Sequence, residues 1–290
     1  MDERNLLADQ FEAKRGHLRG IAYRMLGSRA EAEDAVQEVW LRIDRAGSED
    51  VTNLGGWMTT ILARICLDML RARKARREDA MTPSAAEVLA GVHDDPFGER
   101  ELADSVGAAM LVVLEALQPA ERIAFVLRDM FDLPFEEIAP IVGRSNDATR
   151  QLASRARRRV RGLPRDDSAA ADRRVVDAFL AASRDGDFNA LLAVLDPQVV
   201  AHCDAAAVKL GGPPRMSGSA AVAKAFLGRA QMARPILVDG RVGIAVAPQG
   251  RLVLLLDVTI RDGRIAAMEI VGDPVRLAGF TLALLPEQER

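Results

Sequence analysis

One segment constrains the fold of this chain more than any other: residues 134–162, which read PFEEIAPIVGRSNDATRQLASRARRRVRG. The opening proline suits the first position of a helix, and Glu136 and Glu137 favour the positive end of the helix dipole. Gly143 suits a turn, and Ser145 is a good N-cap for a second helix. The segment therefore predicts a helix-turn-helix.

The second helix of this segment is amphipathic, with apolar residues on one side and basic residues on the other. The predicted apolar face consists of Ala148, Leu152, Ala156 and Val160. Between Arg144 and Arg161 there are seven arginines and one acid, Asp147. A solvated helix usually mixes charges in pairs one turn apart, and this one does not. A helical hairpin with a solvated basic face stays the alternative, because such hairpins also occur in proteins that do not bind DNA.

A helix of this kind fits the major groove of DNA, with its first turns at base edges and its later arginines at phosphates. Arginine can pair with guanine, and Asn or Gln with adenine, through two parallel hydrogen bonds. The residues predicted to contact bases and nearby phosphates are Arg150, Gln151, Ser154 and Arg155. Asn146 and Thr149 are weaker candidates for DNA contacts, and Arg158 is a candidate for phosphate contacts.

The composition limits the other chemistry that we expect. The net charge is −3, so the basic residues are concentrated in a protein that is not basic overall. Cys66 and Cys203 are far apart and belong to no CxxC or Cys/His cluster, so we expect no bound metal, disulfide framework or cofactor. The N-terminus has no apolar signal core and no long apolar run occurs, which predicts a cytoplasmic protein with no membrane contact.

The hydrophobic periodicity predicts three folded parts. Residues 1–80 and 101–163 show helical spacing, and residues 81–100 and 164–171 are predicted linkers. Residues 172–290 combine helices with short β-type runs, which predicts an α+β domain with a curved antiparallel sheet.

The two helical blocks carry the motifs of a known family. The first block contains AEAEDAVQEVWLRI and GGWMTTILARICLDMLRARKARR, and the second contains LEALQPAERIAFVLRDMFDLPFEEIA. Together they resemble the extracytoplasmic-function sigma factors of bacterial RNA polymerase, in the right order and over about 160 residues. This resemblance implies two all-α sigma domains, of which the second carries the helix-turn-helix and reads the −35 promoter element.

The resemblance also implies core RNA polymerase and promoter DNA as partners. The matching residues of the clamp helix, which binds polymerase, include Asp34, Gln37 and Glu38. The promoter-melting segment that reads the −10 element supplies a further set of candidates. The loop from Asp44 to Gly55 is the candidate for capture of a flipped base, and Asn53 can hydrogen-bond a base edge there. The cationic DNA-binding candidates of the helix that follows are Arg64, Arg71, Arg73 and Lys74.

Residues 172–290 resemble the SnoaL-like cone-shaped fold, and the combination is similar to the sigma-J type of the family. In that type the extension is expected to control the sigma domains. Two regulatory motifs of the subgroup occur in altered form: LGGPPR stands where a glycine-rich DGGGK/R-like loop is expected, and GDPVRL where an NPDKL-like motif is expected. The resemblance therefore implies regulatory roles for Asp273, Pro274 and Arg276.

The leading interpretation is a sigma factor that directs promoter-specific transcription initiation and is modulated in cis by its C-terminal domain. A ligand-sensing DNA-binding regulator that acts without core polymerase is the alternative, and a small apolar ligand in the C-terminal domain is left open. An enzymatic role would rest on His202 and Asp204, which are two residues apart on a predicted strand. The only tyrosine lies far away in sequence, so we expect the chain not to be an enzyme.

Overall fold

The computed structural model describes residues 3–46, 51, 53–79, 107–162 and 169–285. These residues form two compact units. The first unit contains the described residues up to 79 together with 117–158, and the second contains 107–116 and the described residues from 159 onward. The units therefore cut across the predicted domains, since residues 107–116 belong to the same unit as the C-terminal sheet.

The first unit is helical. Its N-terminal helices are α1 (Glu3–Leu26), α2 (Arg29–Ala46) and α3 (Leu54–Asp79). They are followed by α5 (Pro119–Phe125), which continues as a π-helical turn (Val126–Met130), by α6 (Phe135–Val142) and by α7 (Asn146–Arg161), whose last turn lies in the second unit. Here α3 packs on α1 and α2 and also on α5 and α6, so helices of both sequence blocks share one core.

The residues predicted to face inward in α1 and α2 explain why these helices associate. Apolar side chains recur at helical spacing and are buried: Phe11, Leu18, Ile21, Met25, Val36, Val39 and Ile43. Arg122 of α5 is 2% exposed, and its Nη2 donates to the carbonyl oxygen of Arg24, 3.3 Å away, near the end of α1. A buried guanidinium thus satisfies one of the carbonyl groups that a helix C-terminus leaves open.

The second unit is an α+β domain, which is the organisation that the SnoaL-like resemblance predicts. Among the described residues the sheet has seven strands in the order β2-β1-β6-β5-β4-β3-β7. The strands are β1 (Leu195–Cys203), β2 (Arg215–Ser217), β3 (Ala233–Val238), β4 (Arg241–Val246), β5 (Leu254–Arg261), β6 (Arg264–Val271) and β7 (Leu282–Ala283). The expectation of a purely antiparallel sheet is wrong, because β1 pairs with β6 in parallel.

Helices surround this sheet. They are α4 (Ala108–Glu115), α8 (Ala169–Asp185), α9 (Phe188–Val194), α10 (Ala205–Lys209), α11 (Ser219–Phe226) and α12 (Pro274–Gly279). The predicted linker 81–100 lies outside the described residues. Of the predicted linker 164–171, only residues 169–171 are described, and they already belong to α8.

Both faces of the sheet are covered, each by its own apolar cluster. The inner face packs with α8, α9 and α11 and includes Leu237, Ile244 and Leu256. The cluster on the outer face is smaller and includes Ile236 and Leu255, which are the chain neighbours of Leu237 and Leu256. Neighbouring residues face opposite sides because side chains alternate along a strand.

In the part of the chain described, no helix is long and apolar enough to cross a bilayer.

Candidate nucleic-acid and polymerase interface

The helix-turn-helix forms where the sequence predicts it. Pro134 is the N-cap of α6, one position before the predicted one, and Glu136 and Glu137 lie in the first turn. Gly143 ends the helix in the left-handed conformation at φ 68°, which glycine adopts without strain. The Ser145 hydroxyl accepts a hydrogen bond from the Ala148 N–H at 3.3 Å and caps α7.

The polar surface of α7 carries most of the predicted DNA contacts. The exposed side chains are Arg150, Gln151, Ser154, Arg155 and Arg158. The buried face consists of Thr149, Ala153, Ala156 and Val160. The prediction that Ala148 and Leu152 face fully inward is wrong, since both are half-buried and the buried positions in the first half of the helix are Thr149 and Ala153.

The two weaker candidates for DNA contacts, Asn146 and Thr149, are less exposed than the other predicted residues of α7. Asn146 is half-buried at the start of α7. Thr149 is fully buried, and its hydroxyl donates to the Ser145 carbonyl oxygen at 2.9 Å. A buried hydroxyl that already has a partner is not available to a base edge. We therefore remove Thr149 from the set of residues offered to DNA.

Arg150 lies in a small cluster of acidic and aromatic side chains. Its Nη1 is 2.9 Å from Asp147 Oδ1, and its Nη2 is 3.6 Å from Glu136 Oε1. The guanidinium also lies over the ring of Phe135, 5.6 Å from the centroid. These exposed ion pairs are weak, so a phosphate or a guanine edge can replace the acids. The cluster holds the guanidinium beside the first turns of α7.

Two further arginines of α7 pair with acids of α5 and the turn that follows it. The Arg155 Nε is 3.9 Å from Glu121 Oε1, while Arg155 itself is 54% exposed. The Arg157 Nε donates to Asp129 Oδ1 at 2.6 Å, and this hydrogen bond raises the pKa of Arg157. Arg157 thus ties α7 to its own domain, which sequence periodicity alone does not reveal.

The basic helix α3 divides its predicted DNA contacts between two roles. Arg64, Arg71 and Lys74 are exposed, and Lys74 Nζ donates to Gln118 Oε1 at 2.8 Å. Arg73 is different, because its side chain is only 23% exposed. It forms an ion pair with Glu31 and donates to the Leu26 carbonyl oxygen.

Arg73 therefore fastens α3 to the end of α1 and to the start of α2. Its predicted contact with promoter DNA is not favoured by this position, since release of Arg73 would leave Glu31 unpaired beside a half-buried site.

Asn53 has a structural partner at the start of α3. Its Oδ1 accepts a hydrogen bond from the Gly56 N–H at 3.0 Å, as an N-cap does. The exposed side chain keeps its amide nitrogen for another partner. Of the predicted base-capture loop, residues 47–50 and 52 lie outside the described residues.

The predicted polymerase contacts lie on the outer side of α2. Asp34 and Gln37 are exposed, and Glu38 Oε1 pairs with Arg42 Nε at 2.8 Å. Leu41 belongs to the same side and is 45% exposed. Sequence reasoning missed Leu41, although an apolar residue among polar neighbours one turn apart is a readable signal.

Beside this surface, α1 and α2 form a groove of about 330 Å³. Phe11 and Trp40 line it, with ring centroids 5.2 Å apart. Gln37 and Leu41 of α2 also line the groove, so the polar candidates and the exposed leucine of α2 lie on one continuous surface.

In the C-terminal domain the GDPVRL motif is held by Asp204. Its carboxylate accepts hydrogen bonds from the N–H groups of Ala207, Gly272 and Asp273 at 2.8–3.1 Å, and Arg276 lies 3.6 Å away. Burial raises the pKa of Asp204, but these backbone hydrogen bonds and Arg276 outweigh it, so the net shift is downward.

The regulatory candidates are arranged around this carboxylate. Asp273 caps α12 by accepting from the N–H groups of Val275 and Arg276, and Pro274 is its first residue. Arg276 also pairs with Glu269. On the other side, the Cys203 N–H donates to the Pro214 carbonyl oxygen in LGGPPR at 3.0 Å. The adjacent residues Cys203 and Asp204 thus contact one motif each.

The enzymatic alternative is not favoured by this geometry. Asp204 accepts from three backbone groups, whereas His202 is exposed. The inner face of the sheet is filled by side chains such as Phe179, which packs edge-on against Phe226. No observation on these residues favours a small apolar ligand.

Comparison with known proteins finds matches to both helical blocks. Residues 11–76 match the family model for Sigma-70 region 2, and residues 108–160 match that for Sigma-70, region 4. The ECF RNA polymerase sigma factor SigJ of Mycobacterium tuberculosis is 35% identical over 298 residues, which cover 94% of each chain. The probable ECF RNA polymerase sigma factor SigI of the same species is 36% identical over 71% of this chain and 72% of its own.

Among solved structures, the crystal structure of the Mycobacterium tuberculosis extracytoplasmic function sigma factor SigJ has a TM-score of 0.45 at 31% identity, covering 94% of this chain and 98% of that one. The similarity in sequence extends through the helical blocks and the α+β domain. The chain therefore belongs to the extracytoplasmic-function sigma factors of RNA polymerase.

Proposed function

We propose that this sigma factor reads the −35 element with α7, contacts the −10 region with α3, binds core polymerase through α2 and is modulated in cis by its C-terminal domain. The observation that carries the proposal is the exposed polar surface of α7, on which Gln151, Ser154 and Arg158 lie free of the apolar core. A sigma factor acts where polymerase and promoter meet, which assigns the chain to the cytoplasm.

The first turns of α7 are assigned to base edges. Arg150 and Gln151 carry the two side-chain types that make bidentate contacts, to guanine and adenine respectively. Both are exposed on the same helix. Arg158, two turns later, is assigned to a phosphate and therefore adds affinity without base preference.

The exposed cations of α3 are assigned to the −10 region. Arg64 and Arg71 are exposed about two turns apart, and Lys74 follows one turn later. Positive side chains along one helix attract the phosphates of a melted strand. Arg73 is left out of this set because it holds the helices together.

The polar side of α2 is assigned to core polymerase. Asp34 and Glu38 lie one turn apart and offer negative charge that can pair with a basic surface and speed docking. The exposed Leu41 beside them supplies apolar contact area. A stand-alone DNA-binding regulator has no need for such a surface.

The proposed modulation in cis rests on the position of the altered motifs. GDPVRL is bonded to Asp204, and LGGPPR is bonded to the preceding residue, Cys203, at the end of the same strand. A change at Asp273, Pro274 or Arg276 is therefore expected to disturb both motifs. A few kcal/mol of differential contact is enough to shift a two-state balance.

The deciding experiment measures binding of the full-length chain to core RNA polymerase. The variant is Asp34→Lys with Glu38→Lys, and we expect its affinity to fall about tenfold or more because like charges then face a basic partner. The matched control is Asp177→Lys with Asp185→Lys on α8, which makes the same charge change at exposed positions. Equal affinity of the α2 variant and the control would remove α2 from the polymerase interface.

A further inference from the structure

The helix α4 belongs to two parts of the molecule at once. In sequence it opens the Sigma-70 region 4 match, which begins at residue 108. In the structure it packs against β3, β7 and the turn at Pro248–Gly250. The first helix of region 4 is therefore part of the C-terminal unit.

An apolar cluster joins α4 to the outer face of the sheet. Val112 is 1% exposed and lies in one cluster with Ile236, Val238, Leu255 and Leu282. These side chains come from three strands, so the helix spans the sheet edge rather than touching a single strand.

A polar contact fixes the end of the same helix. Glu115 Oε2 accepts a hydrogen bond from the Leu252 N–H at 2.9 Å. Leu252 lies just before β5, where no ladder partner is expected for that N–H. The carboxylate thus satisfies a backbone group of the sheet and sets the position of α4 along it.

The helix depends on such packing for its stability. It has only eight residues, begins after Gly107 without a side-chain cap and has no charged residue in its first turn. Helices this short are marginal in water, and tertiary packing of an apolar face supplies most of their stability.

The other end of region 4 meets the same part of the sheet. The Leu284 N–H donates to the Val160 carbonyl oxygen in the last turn of α7 at 2.9 Å. Gly162 lies so close to Ala283 that a Cβ at this glycine would be 2.2 Å from the Ala283 Cβ. The residues around β7 therefore contact the last turn of α7, and β7 itself packs with α4.

We infer that the outer face of the C-terminal sheet is an interaction surface for the first helix of region 4, which it holds in place together with the last turn of α7. The C-terminal domain thereby holds the first helix of region 4 and the last turn of α7, which are the two ends of the region 4 segment. This inference deepens the proposed function, since it rests on region 4 as the −35 reader and names the contact through which the domain acts on it.

Hydrogen exchange of the full-length protein tests this coupling. Val238→Ala removes two methyl groups from the outer cluster, and we expect the α4 amides to exchange about five- to tenfold faster. Val258→Ala removes the same atoms from the inner cluster and is the matched control, so it should leave α4 protection near the wild-type value. Unchanged α4 exchange in Val238→Ala, or an equal increase in the control, would overturn the inference.

A second pair of variants keeps the test decisive if Val238→Ala folds poorly. Glu115→Ala removes the carboxylate at the end of α4 without touching the apolar cluster and should speed exchange of the last α4 turn and of Leu252 several-fold. Met110→Ala changes a half-buried residue outside the outer cluster and should not affect Leu252. Equal exchange of Leu252 in wild type and Glu115→Ala would contradict the coupling. These measurements need neither polymerase nor promoter, so they can fail while the proposed function holds.

Discussion

The helices α3 and α7 look alike in sequence but use their arginines differently. Both carry a run of basic residues near the C-terminal end, and both are predicted to contact DNA. In α7 the base-reading candidates Arg150 and Gln151 stay exposed. In α3, Arg73 turns inward to Glu31 and the Leu26 carbonyl oxygen.

The difference shows that a basic run does not by itself define a nucleic-acid surface. The partner of Arg73 stands 42 residues earlier in the chain, on another helix. A guanidinium that satisfies a helix end and a carboxylate stabilises the domain, whereas an exposed one is free to attract phosphate. The two roles predict opposite effects of substitution on stability and on DNA binding.

The largest effect is expected for Arg73→Ala. The variant leaves Glu31 and the Leu26 carbonyl group without their partner, and we expect it to lower the free energy of unfolding by about 2–3 kcal/mol. Trp40 and Trp57 are the only tryptophans of the chain, so denaturant unfolding followed by tryptophan fluorescence reports on the α1–α3 helices.

The control for Arg73 is Arg71→Ala. Arg71 is 57% exposed, and its ion pair with Asp68 is long, with 3.8 Å between Nη1 and Oδ1. Because such an exposed pair is weak, loss of Arg71 should change the free energy of unfolding by less than about 0.5 kcal/mol while weakening DNA binding. If both variants had the same stability, the structural role of Arg73 would be refuted and α3 would resemble α7 after all.

The next effect concerns base selection by α7. Arg150→Ala should lower the preference for the native −35 sequence by about 1–3 kcal/mol, because a bidentate contact to guanine is lost. Arg150→Lys keeps the positive charge but loses the two parallel donors of the guanidinium. It should therefore recover affinity for DNA without recovering the preference for the native −35 sequence. Competition among randomised −35 sequences measures both quantities.

Arg158→Ala separates charge from base reading in the same assay. It should weaken binding to all sequences about equally. If Arg150→Ala behaved in the same way as Arg158→Ala, Arg150 would be a phosphate contact, and the two helices would both use arginine without base recognition.

Much of this organisation is readable from the sequence, and the reasons for the exceptions are physical. The turn at Gly143 and the cap at Ser145 depend on residues within one or two helical turns, so local rules find them. The partners of Arg73 and Arg157 are distant in the chain, and spacing carries no information about them.

The sequence contains a sign that the outer face of the sheet is covered, although it does not follow the apolar–polar alternation of a strand with one exposed face. Leu254, Leu255 and Leu256 form a continuous apolar run in β5, which is typical of a strand buried on both faces. Which helix covers the second face is not encoded in that run. Asp204 illustrates the same limit, because its backbone partners at Gly272 and Asp273 follow it by almost 70 residues.

A smaller effect is expected at the start of α3, where Asn53 combines a cap with a free amide nitrogen. Asn53→Ala should lower stability by about 1 kcal/mol through loss of the cap. Asn53→Ser keeps a capping oxygen and should retain stability, but it lacks the amide that the proposed base contact uses. Permanganate footprinting of promoter DNA with core polymerase then reports opening. If Asn53→Ser opened promoter DNA as well as the wild-type protein does, the only role of the Asn53 side chain would be to cap α3.

The smallest effect is expected at Thr149, where the two helices are alike. The Thr149 hydroxyl donates to the carbonyl oxygen four residues earlier, as the Thr59 and Thr60 hydroxyls do in α3. Thr149→Val keeps the shape of the side chain, and the Ser145 carbonyl oxygen still accepts from the Thr149 backbone N–H at 2.9 Å. We therefore expect a loss of about 1 kcal/mol or less in stability and no change in base preference. Ser154→Ala is the control, because Ser154 is exposed on the same helix and should alter preference at one base pair. A changed −35 preference in Thr149→Val would mean that α7 unwinds its first turn on DNA, and burial in the free protein would no longer separate structural from base-reading residues.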